Sequence, residues 1–164
     1  MAINIKKTIV IIGVLGIFTL GISLFMNGLL EKSKYIDPSN KELVAKGQQV
    51  YDKNCASCHG AKLEGQFNWR VRLANGRLPA PPHNETGHTW HHSDSVLFDI
   101  TKNGLVPGVT APPGYESDMP AYNKLLSDDE IRAALAYIKS SWPQQALARQ
   151  KEITLTNTYK SYKK

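Results

Sequence analysis

The stretch Cys55-Ala56-Ser57-Cys58-His59 decides how the rest of the chain is interpreted. Two thiols three positions apart can each form a thioether bond to a vinyl group of one porphyrin, and the imidazole that follows can then bind the iron from one side. We therefore predict that the chain binds one haem c covalently through Cys55 and Cys58. His59 is the predicted proximal iron ligand.

Two other kinds of site use a Cys-x-x-Cys pair, and the sequence argues against both. A structural zinc site needs four ligands, whereas Cys55 and Cys58 are the only cysteines in the chain. A thioredoxin-like redox pair needs a βαβ pattern around the motif, and the surrounding sequence has no such pattern. Covalent haem attachment remains the favoured interpretation.

The formal net charge of +6 lies at the two ends of the chain. Residues 31–145 contain thirteen Lys or Arg and thirteen Asp or Glu, so this stretch is neutral. The excess comes from Lys6 and Lys7 and from residues 146–164, where five basic residues accompany one acidic residue. Because a basic patch on the folded domain is the usual mark of nucleic-acid binding, we predict no nucleic-acid partner.

Residues 8–30 contain no charged residue and consist mainly of Ile, Val, Leu, Gly and Phe. A helix of this length is roughly 34 Å long, enough to cross a hydrocarbon core of about 30 Å. We predict a retained transmembrane anchor. The alternative is a cleaved signal peptide, which would have a shorter apolar region and a small-x-small cleavage site. Lysines lie on both sides of the segment, so the flanking charges leave its orientation open.

Residues 31–38 are predicted to be a linker, and a helix is predicted to run from about residue 40 into the haem motif. Ser39 and Glu42 form a predicted capping box, with Ser39 as the N-cap. Apolar and small residues recur behind it at helical spacing: Leu43, Val44, Gly47, Val50 and Tyr51. Gly47 costs about 1 kcal/mol relative to Ala inside a helix, which indicates either a surface position or close contact with another backbone.

Residues 60–92 have no helical period and are predicted to form a long loop around the haem. Ser93-Asp94-Ser95 is predicted to begin a short helix that ends at Asn103-Gly104. A second capping box, from Ser127 to Glu130, begins the last helix of the domain. The predicted inward positions of that helix are Ile131, Ala134, Leu135 and Ile138. The polar, basic tail from Gln144 onward is predicted to extend as helix to about Gln150.

Met119 is the predicted sixth ligand of the iron. Met1 and Met26 lie in the N-terminal segments, so Met119 is the remaining methionine, and Pro120 restricts the backbone beside it. A thioether ligand raises the reduction potential and fills the position where oxygen or peroxide would bind. The alternative ligand is a histidine from the loop before the middle helix, which contains His83, His88, His91 and His92. A separate copper or zinc site built from these histidines is a further alternative.

With these motifs in place, the chain resembles the class I cytochrome c family, in its single-haem, membrane-anchored bacterial form. The resemblance covers roughly residues 40–143. It rests on Gly47 and Tyr51 before the haem motif, on Met119-Pro120-Ala121-Tyr122, and on Leu135-x-Tyr137-Ile138. The segment Gly87-His88-Thr89-Trp90-His91-His92 resembles a branch found near respiratory oxidases.

The resemblance implies an all-α fold around one covalent haem, in which the first and last helices cross. Gly47 is then expected at the crossing, opposite Leu135, Tyr137 or Ile138. A proline carbonyl, from Pro81 or Pro82, is expected to accept the second N–H of His59. His88, Trp90 or one of the loop arginines can contact the haem propionates, and the sequence does not choose among them.

The family also implies that haem is attached outside the cytoplasm, which would orient the anchor. The expected organisation is a cytoplasmic N-terminus (1–7), the anchor (8–30), the linker (31–38), a periplasmic cytochrome domain (39–143) and a basic C-terminal tail (144–164). We predict a single-electron carrier of the inner membrane, with a respiratory donor and acceptor, rather than an enzyme. The alternatives are a haem-c subunit of a terminal oxidase or reductase, an open-iron enzyme or gas sensor, and a membrane protein whose haem is only structural.

Overall fold

The computed structural model describes Thr19, residues 21–23, Met26 and residues 35–156. The chain divides into two units, Met1–Lys34 and Tyr35–Lys164. The described residues of the first unit are helical. Among all described residues, no helix is long and apolar enough to cross a membrane. The predicted anchor, residues 8–30, lies mostly outside them.

The second unit is helical. Its elements in chain order are α1 (Lys41–Asn54), α2 (Ala56–His59), a 3-10 helix (Thr89–His91), α3 (Asp94–Asn103), α4 (Asp128–Ser140) and α5 (Gln144–Thr156). Within residues 35–156 the extended structure is limited to one isolated bridge between Pro107 and Ala111. The predicted all-α class is confirmed for this part of the chain.

Helix α1 begins one residue later than predicted. Its N-cap is Asn40, whose side chain accepts a hydrogen bond from the backbone N–H of Leu43 at 3.1 Å. The prediction that Ser39 caps this helix was wrong. Ser39 instead donates from its backbone N–H and its hydroxyl to Oδ1 of Asp37, at 2.9 and 2.8 Å. This local turn occupies the hydroxyl that the capping box would have used.

The other two predicted helix starts are confirmed. Ser93 caps α3, which ends before Gly104, and the positive φ of 78° at that position suits glycine. Ser127 and Glu130 form the reciprocal capping box of α4. Helix α5 is longer than predicted and continues six residues beyond Gln150. The side chain of Gln150 is fully buried.

Helices α1 and α4 cross in close contact at Gly47. A Cβ atom at this position would lie 1.9 Å from the backbone oxygen of Ala133 and 3.0 Å from Cβ of Tyr137. The predicted crossing is therefore confirmed, with Tyr137 among the expected neighbours. Around it, the apolar core combines residues from the helices, from the segment before α1 and from the connection between α4 and α5: Ile36, Tyr51, Leu97, Ile131, Leu135, Ile138 and Trp142.

Asp94 joins distant segments of this unit through a buried polar cluster. Its carboxylate accepts hydrogen bonds from Nζ of Lys139 at 2.7 and 2.8 Å and from Nε2 of Gln150 at 2.7 Å. It also accepts one from the backbone N–H of Ile36 at 2.6 Å. Ile36 lies in the predicted linker, yet it is 2 % exposed. The last residues of that linker are therefore part of the folded unit.

Candidate haem site

The haem motif forms one short helical turn that continues from α1. The backbone N–H of Cys55 donates to the carbonyl of Tyr51 at 2.8 Å. The N–H groups of Cys58 and His59 donate in turn to the carbonyl of Cys55, at 3.1 and 2.9 Å. Cys55 is half-buried and Cys58 is exposed, and both are free thiols. The turn brings the three motif side chains into one compact group on the end of a packed helix.

His59 is held by a hydrogen bond from its ring to the backbone. Nδ1 lies 2.8 Å from the carbonyl oxygen of Pro81, and the residue is 8 % exposed. Of the two predicted prolines, the structure therefore selects Pro81. Because Nδ1 carries the proton and donates a hydrogen bond to this carbonyl, Nε2 keeps a free lone pair that can bind a metal. Burial lowers the pKa of His59, while the contact with Pro81 acts in the opposite direction.

His83 packs against His59. The two rings are stacked, with centroids 4.0 Å apart and planes inclined by 21°. Nδ1 of His83 lies 3.0 Å from the hydroxyl of Thr89. The backbone carbonyl of His83 accepts a hydrogen bond from Nε1 of Trp142 at 2.7 Å. Burial and the neighbouring His59 lower the pKa of His83 well below its ordinary value. This position beside the His59 ring favours a packing role for His83 over a role as the sixth ligand.

The other three histidines contact different aromatic rings. His88 stacks on Trp69 at 5.6 Å and meets the edge of His92 at 5.5 Å, while His91 stacks on Trp90 at 3.6 Å. Burial lowers the pKa of both His88 and His92. Across the described part of the chain, no three His, Cys, Asp or Glu side chains are gathered as they would be around a metal ion.

The segment that contains Met119 is tied to the helix before the haem motif. The hydroxyl of Tyr122 donates to the carbonyl of Asn54 at 2.7 Å, and the backbone N–H of Tyr122 donates to the carbonyl of Thr101 at 3.1 Å. Met119 itself is half-buried, and its N–H donates to the hydroxyl of Ser117 at 3.0 Å. The fold thus connects the predicted Met ligand to the helix that leads into Cys55.

The donor set suits a covalently bound haem. It offers two free thiols on one turn, an imidazole with a fixed tautomer, and a thioether on a segment tied to the same helix. A redox dithiol is less consistent with these surroundings, since reactive cysteines have lowered pKa values. Burial and the nearby Cys58 raise the pKa of Cys55 to about 11.

A comparison with known families decides the classification. The family model for cytochrome c matches residues 44–142, which is more than half of the chain. The chain belongs to the cytochrome c family. It is a class I c-type cytochrome, and it carries covalently bound haem c.

Three curated relatives of this cytochrome are oxidase subunits. It is 34 % identical over 97 residues to the Cbb3-type cytochrome c oxidase subunit CcoP of Azospirillum sp. (strain B510). It is 36 % identical over 93 residues to CcoP of Azospirillum brasilense. The Cbb3-type cytochrome c oxidase subunit FixP of Rhizobium meliloti (strain 1021) is 30 % identical over 108 residues.

These matches cover part of each protein. They span 57–63 % of the cytochrome but only 26–29 % of the relatives' own lengths. No solved structure gives a significant match to the chain.

Sequence reasoning found the motif residues but missed two sets of contacts. The stacking of His83 on His59 and the ion pairs of Arg77 with Glu116 and Asp118 join residues far apart in sequence. No local pattern signals either contact, because a histidine or arginine in a loop is usually solvated. The one sequence feature that could have indicated the stacking of His83 on His59 is that His83 directly follows the proline-rich residues 79–82.

Proposed function

We propose that this cytochrome transfers single electrons between respiratory-chain proteins and is not itself an enzyme. A bound haem c supplies one iron centre that changes between ferric and ferrous states, at a potential set mainly by its axial ligands. The observation that carries the proposal is the hydrogen bond between Nδ1 of His59 and the carbonyl of Pro81, at 2.8 Å. It orients the imidazole as an iron ligand and is the contact expected for a proximal histidine in this family.

The two axial ligands in this proposal are His59 and Met119. Cys55 and Cys58 form the two thioether bonds. The tie from Tyr122 to Asn54, at 2.7 Å, supports the placement of Met119 near the haem motif. A thioether in the sixth position would exclude oxygen and peroxide, which is the property that separates an electron carrier from an open-iron enzyme or gas sensor.

The ligand assignment is tested on the purified full-length holoprotein. The ferric spectrum should show the weak sulfur-to-iron band at its red edge and no high-spin signature. Met119→Ala should abolish the band, lower the reduction potential and allow carbon monoxide to bind, with little loss of haem. His88→Ala is the matched control and should retain the band. If Met119→Ala leaves the potential and ligand binding unchanged, another residue is the sixth ligand.

The proposed location rests on the composition of residues 1–30 and on the attachment of haem outside the cytoplasm in this family. Residues 1–7 lie in the cytoplasm, residues 8–30 cross the inner membrane once, and the folded unit that begins at Tyr35 lies in the periplasm. The uncharged composition of residues 8–30 supports this arrangement. Such an anchor would raise the effective concentration of the carrier near membrane-bound donors and acceptors.

A second candidate function is that of a fixed haem subunit of a terminal oxidase. The names of the relatives, Cbb3-type cytochrome c oxidase subunits, favour it. A shortened protein that begins at Ser33 behind a cleavable signal distinguishes the two functions. For a free carrier, excess soluble protein should restore respiratory flux to membranes that lack the full-length chain. Failure to restore flux, with co-purification of oxidase subunits in mild detergent, would favour the fixed subunit.

A further inference from the structure

The loop of residues 66–80 connects the haem motif to Pro81, and it is closed on itself at both ends. At its base, the backbone N–H of Gln66 donates to the carbonyl of Ala80 at 2.9 Å, and the N–H of Ala80 donates to Oε1 of Gln66 at 2.8 Å. Near its tip, the N–H of Leu73 donates to the carbonyl of Arg77 at 2.9 Å. The backbone of Arg77 therefore has a defined position relative to Pro81.

Arg77 reaches from this loop to the segment that precedes Met119. Nη1 forms an ion pair with Oδ1 of Asp118, and Nε lies 3.6 Å from Oε2 of Glu116. Both acidic residues raise the pKa of Arg77, Asp118 more than Glu116. One guanidinium thus holds two carboxylates two positions apart, on a segment about forty residues further along the chain.

Burial alternates along residues 115–120. Tyr115, Ser117 and Met119 are half-buried, whereas Glu116, Asp118 and Pro120 are exposed. The carboxylates that Arg77 holds therefore belong to exposed residues, whereas Met119, which follows Asp118 directly, is half-buried.

We propose that Arg77 is a positioning residue for Met119. This inference rests on the proposed ligation of iron by Met119. The downstream end of the segment is held by Tyr122, whose hydroxyl donates to Asn54. Arg77 holds the upstream end through Glu116 and Asp118. The two attachments flank Met119 and keep its thioether within reach of the iron.

The exposure of these groups limits the size of the effect. The side chains of Arg77, Glu116 and Asp118 are 38 %, 68 % and 60 % exposed, so solvent screens their attraction. Loss of an exposed pair shifts a local equilibrium by about two- to fivefold. The expected effect is therefore a more frequent release of Met119 and not a loss of the fold. Salt should produce the same change, because the screening length falls from about 30 Å at 0.01 M to about 3 Å at 1 M.

The test measures the binding of imidazole to the ferric full-length holoprotein by stopped-flow absorbance. Imidazole can bind the iron only after Met119 has left it, so its binding rate reports release of the thioether. Arg77→Gln should bind imidazole about two- to fivefold faster than wild type at 0.01 M salt. In 1 M salt the two proteins should bind at the same rate. Arg70→Gln is the matched control: Arg70 lies in the same loop, but its guanidinium packs 4.0 Å from the ring centroid of Trp69.

The outcomes separate this proposal from the one on which it rests. Faster binding in Arg77→Gln alone, with the sulfur-to-iron band present in wild type, supports the positioning role. If the band is present but Arg77→Gln binds at the wild-type rate, or if Arg70→Gln is accelerated equally, the role of Arg77 is refuted and Met119 remains the ligand. If wild type lacks the band, Met119 is not the ligand and both proposals fail.

Discussion

Replacement of Asp94 by Asn tests whether the buried ion pair holds the helical unit together. The carboxylate of Asp94 is 2 % exposed and accepts hydrogen bonds from Lys139, Gln150 and the backbone of Ile36. Asparagine has nearly the same shape but no charge, and only one of its two side-chain positions can accept. The substitution therefore leaves a buried ammonium group without its carboxylate and at least one buried donor without an acceptor.

The expected cost is about 3–4 kcal/mol at pH 7, from two sources. Burial lowers the pKa of Lys139 to about 8, although Asp94 acts to raise it. Without the carboxylate the pKa of Lys139 falls further, so the native state loses this proton more readily, which adds up to about 1.4 kcal/mol at pH 7. The unsatisfied donor adds about 1–3 kcal/mol. The total agrees with the roughly 3–5 kcal/mol for a buried pair that loses one partner.

The pH dependence distinguishes this mechanism from simple loss of packing. A lysine whose native pKa lies below its unfolded value binds more protons when unfolded, so stability rises with pH above the native pKa. In wild type that rise begins near pH 8, and in Asp94→Asn it begins at a lower pH. The difference in unfolding free energy between wild type and Asp94→Asn should therefore narrow by up to about 1 kcal/mol between pH 7 and 8, and by a few tenths more above pH 8.

The assay is urea unfolding of the full-length holoprotein in mild detergent, followed by far-ultraviolet circular dichroism at pH 7 and pH 8. Asp128 provides a matched control, since it also lies in the first turn of a helix and pairs with Lys102 at 2.7 Å, but it is 61 % exposed. Asp128→Asn should cost less than about 1 kcal/mol. An Asp94→Asn cost below about 1 kcal/mol, or one that is equal at both pH values, would refute the reasoning.

Three further substitutions test the helix contacts by the same unfolding assay. Gly47→Ala should cost at least about 1–3 kcal/mol, because the new Cβ would lie 1.9 Å from the backbone oxygen of Ala133; a neutral or stabilising result would contradict the close crossing. Tyr122→Phe should cost about 1 kcal/mol, since it removes the donor to the carbonyl of Asn54, and an unchanged midpoint would count against that bond. Hydrogen bonds from Ser127 lower the pKa of Glu130. Wild type should therefore exceed Glu130→Gln in stability above about pH 4.5, and this advantage should disappear as the pH falls through the lowered pKa. A pH-independent difference would rule out the charged cap.

Local sequence signals predicted the helix starts where one side chain had one available partner. The caps of α3 and α4 use residues three positions apart, so the sequence contains both partners. The start of α1 was predicted one residue early, because Asp37, Ser39 and Asn40 all compete for nearby backbone donors. Only the folded turn shows that Asp37 takes the N–H and hydroxyl of Ser39, which leaves Asn40 as the cap.

The helical extent of the C-terminal tail shows a different limit. Its basic, polar composition predicted a helix that ended near Gln150, and the helix runs to Thr156. Gln150 and Thr154 face the buried Asp94, and their side chains hydrogen-bond with it or with its backbone. A polar side chain is expected to be solvent-exposed when only the sequence is considered. The burial of Gln150 and Thr154 depends on Asp94, which lies more than fifty residues away.

The sequence by itself determined the haem motif and the starts of α3 and α4, since each depends on residues within a few positions of one another. The resemblance to the cytochrome c family implied the all-α class and the helix crossing at Gly47. The tertiary structure decided which proline carbonyl holds His59, which ring packs beside it, and which arginine reaches the segment of Met119. The reason is physical. Spacing along a helix or a turn is fixed by backbone geometry, whereas contacts between loops depend on how the helices pack, and many loop arginines and histidines could have made them.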